Sequence, residues 1–206
     1  MSDLRQPPEG FTNLPDFVDG LKIEMGYHTS ANFTGSALPG YGAHGSWLLI
    51  PAAESVRRIG SRARDRGLTL LVYDAYRPVR ATTAMIEWAE ATGNTWLLDQ
   101  GYVSRNSRHN RGTTIDLTLV RDGVPLDMFT PWDTFDARSH EGAATGIATD
   151  NRRLLRGLME EEGWRGYSKE WWHFSYPIDD NRAPPRDVPY GLGESDEPSQ
   201  FAPIPL

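Results

Sequence analysis

The stretch "TTIDLTLV", residues 113–120, alternates polar and apolar side chains and predicts a strand. Asp122-Gly123 follows it as a turn signal. Upstream, "LTLLVYDAY" at 68–76 is rich in Leu, Val and Tyr without helical spacing and reads as a buried strand. Helical stretches separate these runs. One opens at Pro51, a favoured first helical position, and continues through "PAAESVRRIGSRARDRG" to a stop at Gly67. A second opens at Pro78 and ends at Gly93. A third spans "DNRRLLRGLMEEEG", 150–163, with Leu154, Leu155, Leu158 and Met159 as its apolar positions. "WWHFSY", 171–176, reads as a third strand, and the Gly- and Ser-rich stretch 27–45 as a long ordered loop of the kind that often carries function.

The pattern predicts a single α+β domain, a small, mainly antiparallel sheet packed by helices. The domain is expected over residues 1–180. Its first twenty residues are polar and proline-bearing and read as an arm lying on the domain. From Pro177 onward the chain holds seven of its fifteen prolines and several acids, so 181–206 is expected as an extended or partly disordered tail wrapped on the surface. There is no internal repeat.

Composition narrows the function classes. A chain of 206 residues, 38% hydrophobic and 11% aromatic, can bury a real core. The net charge of -7 without a basic block argues against a nucleic-acid partner. Without cysteine there is no disulfide, Cys-ligated zinc, iron–sulfur cluster or thiol nucleophile. No run approaches the roughly 18 apolar residues of a membrane span, and the N-terminus has no apolar run of signal type. A soluble cytoplasmic protein without a membrane partner is expected. Oligomeric state is not legible.

The polar residues inside apolar surroundings carry the chemistry. Asp116 opens an apolar strand, and Glu170 and His173 sit among tryptophans. Burying such carboxylates is expensive unless they are paired or bound to metal. His109 lies seven residues before Asp116, with Gly112 between them to allow a sharp change of direction. If the two segments lie side by side, His109, Asp116 and His173 converge on one ion. Two imidazoles and a carboxylate, with one position open for water, make a catalytic rather than a structural zinc set. Glu170 then stands near the metal as a base. The same ligand types suit Fe, Co, Ni or Mn. The plainer alternative is that Asp116 caps a turn and His173 is a packed imidazole. Asp74 and Arg77 fall where the first buried strand ends. Arg77 there could stabilise an oxyanion, or the two could form a surface pair worth at most about 1 kcal/mol.

Together, "DAYRP", "SRHNRGTTID" and "EWWH" resemble the D-alanyl-D-alanine dipeptidases of the VanX type, a zinc peptidase group sharing its fold core with the hedgehog N-terminal domain. The family pattern is approximately Ser-x-His-x-x-Gly-x-Ala-x-Asp followed by Glu-x-x-His. It reads here as Ser107, His109, Gly112, Asp116, Glu170 and His173, with Thr114 at the alanine position. "YHTSANFTG" at 27–35 and "MFTPWDTFDARSH" at 128–140 are similar to further family segments.

The resemblance implies one Zn2+ per chain on His109, Asp116 and His173, with Glu170 as general base and later acid. It implies that Arg77 polarises the scissile carbonyl, and that Tyr27 and Asp133 hold the ammonium of a D,D-dipeptide substrate. Ser107 is implied close to the substrate, and Asp74 behind Arg77 or a metal ligand. A cap at Asp133 and loop packing at Tyr27 are the plainer readings of those two. His28, His44 and His140 are expected to be structural. The expected activity is hydrolysis of D-Ala-D-Ala or a related D,D-dipeptide. The rivals are a D,D-carboxypeptidase acting on peptidoglycan stems and a non-catalytic, hedgehog-like zinc-binding module.

Overall fold

Period-two alternation governs the centre of the molecule. On the strand Thr114–Arg121, Ile115, Leu117 and Leu119 join the main hydrophobic core, while the intervening Thr114, Asp116 and Thr118 point to the opposite face. Both faces are covered, so the polar set is as deeply buried as the apolar one. That arrangement places Asp116 at an interior position beneath a cleft.

The computed structural model describes residues 3–195. In chain order its elements are β1 (Phe11–Asn13), α1 (Leu14–Phe17), β2 (Lys22–Ile23), β3 (Trp47–Leu49), α2 (Ile50–Arg64), β4 (Thr69–Asp74), α3 (Val79–Ala91), α4 (Trp96–Asp99), β5 (Thr114–Arg121), β6 (Val124–Pro125), α5 (Ile147–Glu160), β7 (Arg165–Tyr167) and β8 (Glu170–Ser175). Short 3₁₀ turns occupy Gly26–His28, Arg108–Arg111, Ala137–Ser139 and Asp180–Arg182. The main sheet runs β2-β4-β5-β8-β7, with β6 added to β5. Only β2 and β4 pair in parallel; every other pairing of this sheet is antiparallel. The β5–β6 hairpin turns at Asp122 and Gly123, whose φ values of 51° and 82° are the left-handed pair a tight hairpin requires.

Helices α2 and α5 pack on the Ile115–Leu117–Leu119 face through Val56, Ile59, Leu155, Leu158 and Met159. A second cluster, rich in aromatic residues, joins Phe11, Tyr27, Tyr41, Trp47, Tyr76 and Tyr190. The predicted α+β architecture and its mainly antiparallel sheet are therefore present.

Two expectations about the ends of the chain need correction. Residues 11–18 are not part of an arm lying on the domain. They supply β1, which pairs with β3, and α1, and they place Leu14 and Val18 in the main core. Residues 183–195 do not merely wrap the surface either. Ala183 and Tyr190 are buried, and the Tyr190 hydroxyl donates to the Tyr76 carbonyl at 2.7 Å and accepts from Trp47 N at 3.2 Å. Proline density marks an extended backbone, and an extended backbone can still drive single aromatics into a core. The rest of the expected tail, 196–206, lies outside the described residues.

Candidate active site

The sheet register assembles the site. β4 and β5 place Asp74 opposite Asp116, and β5 and β8 place Asp116 opposite His173. Directly opposed residues of antiparallel strands share a face, so Asp74, Asp116 and His173 form one row across three strands. His109 arrives from the 3₁₀ turn Arg108–Arg111, which ends at Gly112 with φ 65°. Glu170 is three residues from His173 and would point away from it on a regular strand. The β7–β8 ladder shifts register, Gly166 facing Phe174 while Tyr167 faces Glu170. The extra residues on β8 bend it and bring both Glu170 and His173 to the cleft.

His109, Asp116 and His173 offer ligand atoms that all lie within 4.8 Å of one another. Asp116 Oδ1 is 3.1 Å from His173 Nδ1 and 3.4 Å from His109 Nε2. It is buried without a hydrogen-bond partner, while Trp132 Nε1 donates to Oδ2 at 3.4 Å. Native interiors rarely leave a carboxylate oxygen in that condition. His109 Nδ1 lies 2.7 Å from the Ala75 carbonyl. A carbonyl only accepts, so Nδ1 donates to it and Nε2 is the nitrogen turned to the cluster. The orphaned oxygen and the fixed ring orientation fit a divalent cation. Burial opposes ionisation of Asp116, yet the two imidazoles override it and hold the carboxyl far below the usual carboxylate range.

Glu170 is buried beside this cluster, its Oε2 3.4 Å from His173 Nδ1. Burial pushes its pKa well above the ordinary value, and the charge of Asp116 adds to the rise. A carboxyl so placed can take up and return a proton. Arg77 and Asp74 are not a surface pair. Asp74 is 0% exposed, and its Oδ2 accepts from Arg77 Nε at 3.0 Å and Nη2 at 2.9 Å. Burial works against the guanidinium charge, but Asp74 keeps Arg77 firmly protonated.

Tyr27 and Asp133 meet across the cleft end, the hydroxyl donating to Asp133 Oδ1 at 2.9 Å. Asp133 Oδ2 accepts from Phe33 N at 2.7 Å. Burial raises Asp133 to about 7, while those two hydrogen bonds and Arg77 pull the other way. Ser107 lies at the start of the 3₁₀ turn that carries His109 and also lines the cleft. The cleft has a volume of about 770 Å³ and brings all of these except Asp74 to one surface. Asp74 stands behind Arg77, with Oδ2 also 3.4 Å from His109 Nδ1.

His140 is engaged elsewhere, with Nε2 2.6 Å from the Tyr102 hydroxyl, and His28 and His44 lie against each other. Two aromatic residues at the site escape sequence reasoning. Trp132 packs on Tyr27 and Tyr73 while reaching Asp116. Tyr41 donates to Asp74 Oδ1 at 2.6 Å. Each lies in a loop, with no spacing to mark it.

The family model described as D-ala-D-ala dipeptidase, Peptidase_M15, matches residues 8–188. The D-alanyl-D-alanine dipeptidase of Enterococcus faecium is 38% identical over 183 residues, covering 80% of this chain and 90% of that protein. The D-alanyl-D-alanine dipeptidase of Escherichia coli (strain K12) is 36% identical over 180 residues, covering 86% of this chain and 88% of that one. Among solved structures, VanYB in complex with D-Alanine-D-Alanine is 17% identical with a TM-score of 0.38, covering 64% of this chain and 72% of that chain, a likeness too slight to argue from.

Proposed function

The chain belongs to the Peptidase_M15 family of D-ala-D-ala dipeptidases, and from that premise we propose that it is a zinc-dependent metallopeptidase hydrolysing free D-Ala-D-Ala, with one zinc ion per chain. The observation that carries the reading is the orphaned Asp116 Oδ1 facing His109 Nε2 and His173 Nδ1. His109, Asp116 and His173 would hold the ion. Bound zinc supplies Lewis acidity, lowering the pKa of water toward neutrality and polarising a carbonyl.

The chain's own groups do the rest. Asp133 and Tyr27 receive the substrate ammonium at one end of the cleft, which fixes the scissile carbonyl beside Arg77. Arg77 donates to the carbonyl oxygen as negative charge grows there, and Asp74 holds its guanidinium so that little reorganisation is needed. Glu170 removes a proton from the attacking water and returns it to the departing amine, a shuttle suited to a carboxyl whose pKa burial has raised. Tyr27 and Asp133 favour a free amine over an acylated one, because an acylated substrate leaves a buried carboxylate without its partner. A related D,D-dipeptide would meet the same groups. Ser107 is assigned to the substrate's surroundings, and a cytoplasmic place for the enzyme belongs to the same proposal. Among the described residues no helix is long and apolar enough to cross a membrane.

Two variants test the division of labour. Glu170→Gln should retain zinc by elemental analysis and lose about 10²–10⁴-fold in kcat. His109→Ala should lose the metal itself. A Glu170→Gln enzyme with undiminished turnover would remove the proton shuttle from the account.

A further inference from the structure

We propose that Tyr41 is a positioning residue of the hydrolytic site: its hydroxyl fixes one oxygen of Asp74 so that the other is left to hold Arg77 in place. The inference rests on the reading of Arg77 as the group that meets the substrate carbonyl. Tyr41 does not line the cleft and touches no reacting atom. It acts through a chain of short contacts. The hydroxyl donates to Asp74 Oδ1 at 2.6 Å, a length typical of a bond to an ionised acceptor. Oδ2 then accepts both Arg77 Nε, at 3.0 Å, and Nη2, at 2.9 Å. His109 Nδ1 stands 3.4 Å from that same Oδ2 but has its own partner in the Ala75 carbonyl, at 2.7 Å. Asp74 is fully buried, so no water can replace the Tyr41 donor without reorganisation. With Oδ1 left bare, the carboxylate turns to find a donor and carries Oδ2 away from the Arg77 fork.

The position of Tyr41 is itself over-determined. Its ring lies between Tyr27 and Tyr190, with centroids 5.8 Å and 5.5 Å away. The residues on either side of it are clipped by one carboxylate: Glu194 accepts from Gly40 N at 2.7 Å and from Gly42 N at 2.8 Å. A Cβ on Gly42 would lie 2.5 Å from Glu194 Oε2 and push that carboxylate aside. Burial keeps the Tyr41 hydroxyl protonated, hence always a donor. A segment far along the chain thereby sets the height of the hydroxyl that steadies Arg77.

The test is a double-mutant cycle on the zinc-loaded full chain with D-Ala-D-Ala, supported by NMR of the Arg77 Nε–H group. Tyr41→Phe keeps the ring and removes only the donor. It should lower kcat by about 10–100-fold, with KM and zinc content unchanged. In an Arg77→Ala background the same change should have almost no further effect, because its route to the chemistry is gone. Equal losses in both backgrounds, or no loss in the parent, would overturn the proposal. The Arg77 Nε–H should lose its protection from exchange with water in Tyr41→Phe; unchanged protection would overturn this inference while leaving the Arg77 reading intact. An Arg77→Ala enzyme as fast as the parent would instead overturn that reading, and this inference with it. Should Tyr41→Phe fail to fold, Glu194→Ala loosens the same loop from its far side. It should show the same kcat loss and the same loss of protection, and no change in either would overturn the proposal.

Discussion

Asp133 has a backbone φ of 64°, a conformation that costs most residues but that Asp and Asn tolerate. The strained turn brings its carboxylate against Tyr27, and burial raises its pKa to about 7. The direction of the linkage follows. Folded Asp133 binds its proton up to about pH 7, whereas the unfolded residue releases it at an ordinary carboxylate value near 4. Between those limits the native state holds the extra proton, so Asp133 lowers stability as pH rises from about 4 toward 7. Binding runs the other way, since only the ionised form attracts an ammonium. KM for the free dipeptide should fall as pH rises through about 7, and Asp133→Asn should raise KM and flatten that dependence. Asn accepts the same backbone, and the variant should be the more stable protein at pH 8. A pH series of KM with a thermal melt checks both signs. The residue-level features that sequence reading found are those tied to spacing: His109 with Asp116, and Glu170 with His173. Tyr41 and Trp132 were not legible, because their partners lie 33 and 16 residues away and nothing local marks them.

At the level of elements, the long strands and helices were legible because each buries a periodic face. β4, β5, β8, α2 and α3 fall within three residues of their expected bounds, and α5, Ile147–Glu160, lies three residues ahead of the expected 150–163. β1, β2, β3 and β7 have two or three residues each, too few to show a period. The bulge in β8 was likewise hidden, since pairing register depends on the partner strand. One junction between elements controls the site. Gly112 closes the turn that delivers His109 to β5 with φ 65°, and a Cβ there would meet Phe11 Cε1 at 2.1 Å. Gly112→Ala therefore combines a left-handed penalty with overpacking and should cost about 3 kcal/mol. Urea unfolding measures this, and a midpoint equal to the parent's would show that the turn can relax. Zinc affinity should weaken in the same variant, since His109 moves with the turn.

For the whole molecule, both ends of the described segment converge on the cluster of aromatic residues behind the site. Phe11 packs edge-on against Tyr76, and Tyr190 lies 4.2 Å from Trp47 between ring centroids. Arg5 donates to the carbonyls of Gly191 and Glu194, joining the two ends of that segment directly. These contacts span nearly the whole sequence, so no local pattern announces them, and the proline-rich composition points the other way. The result is a cleft lined by Asp116, Glu170 and His173 of the sheet together with the hydrogen-bonded pair Tyr27 and Asp133. In the proposed function that pair would favour a free dipeptide over an acylated stem. The most direct measurement is D-alanine release by the zinc-loaded protein from D-Ala-D-Ala and from N-acetyl-D-Ala-D-Ala in parallel. The expected kcat/KM for the free dipeptide is higher by about 10⁴-fold or more. Hydrolysis of the acylated compound as fast as the free one, or faster, would contradict it.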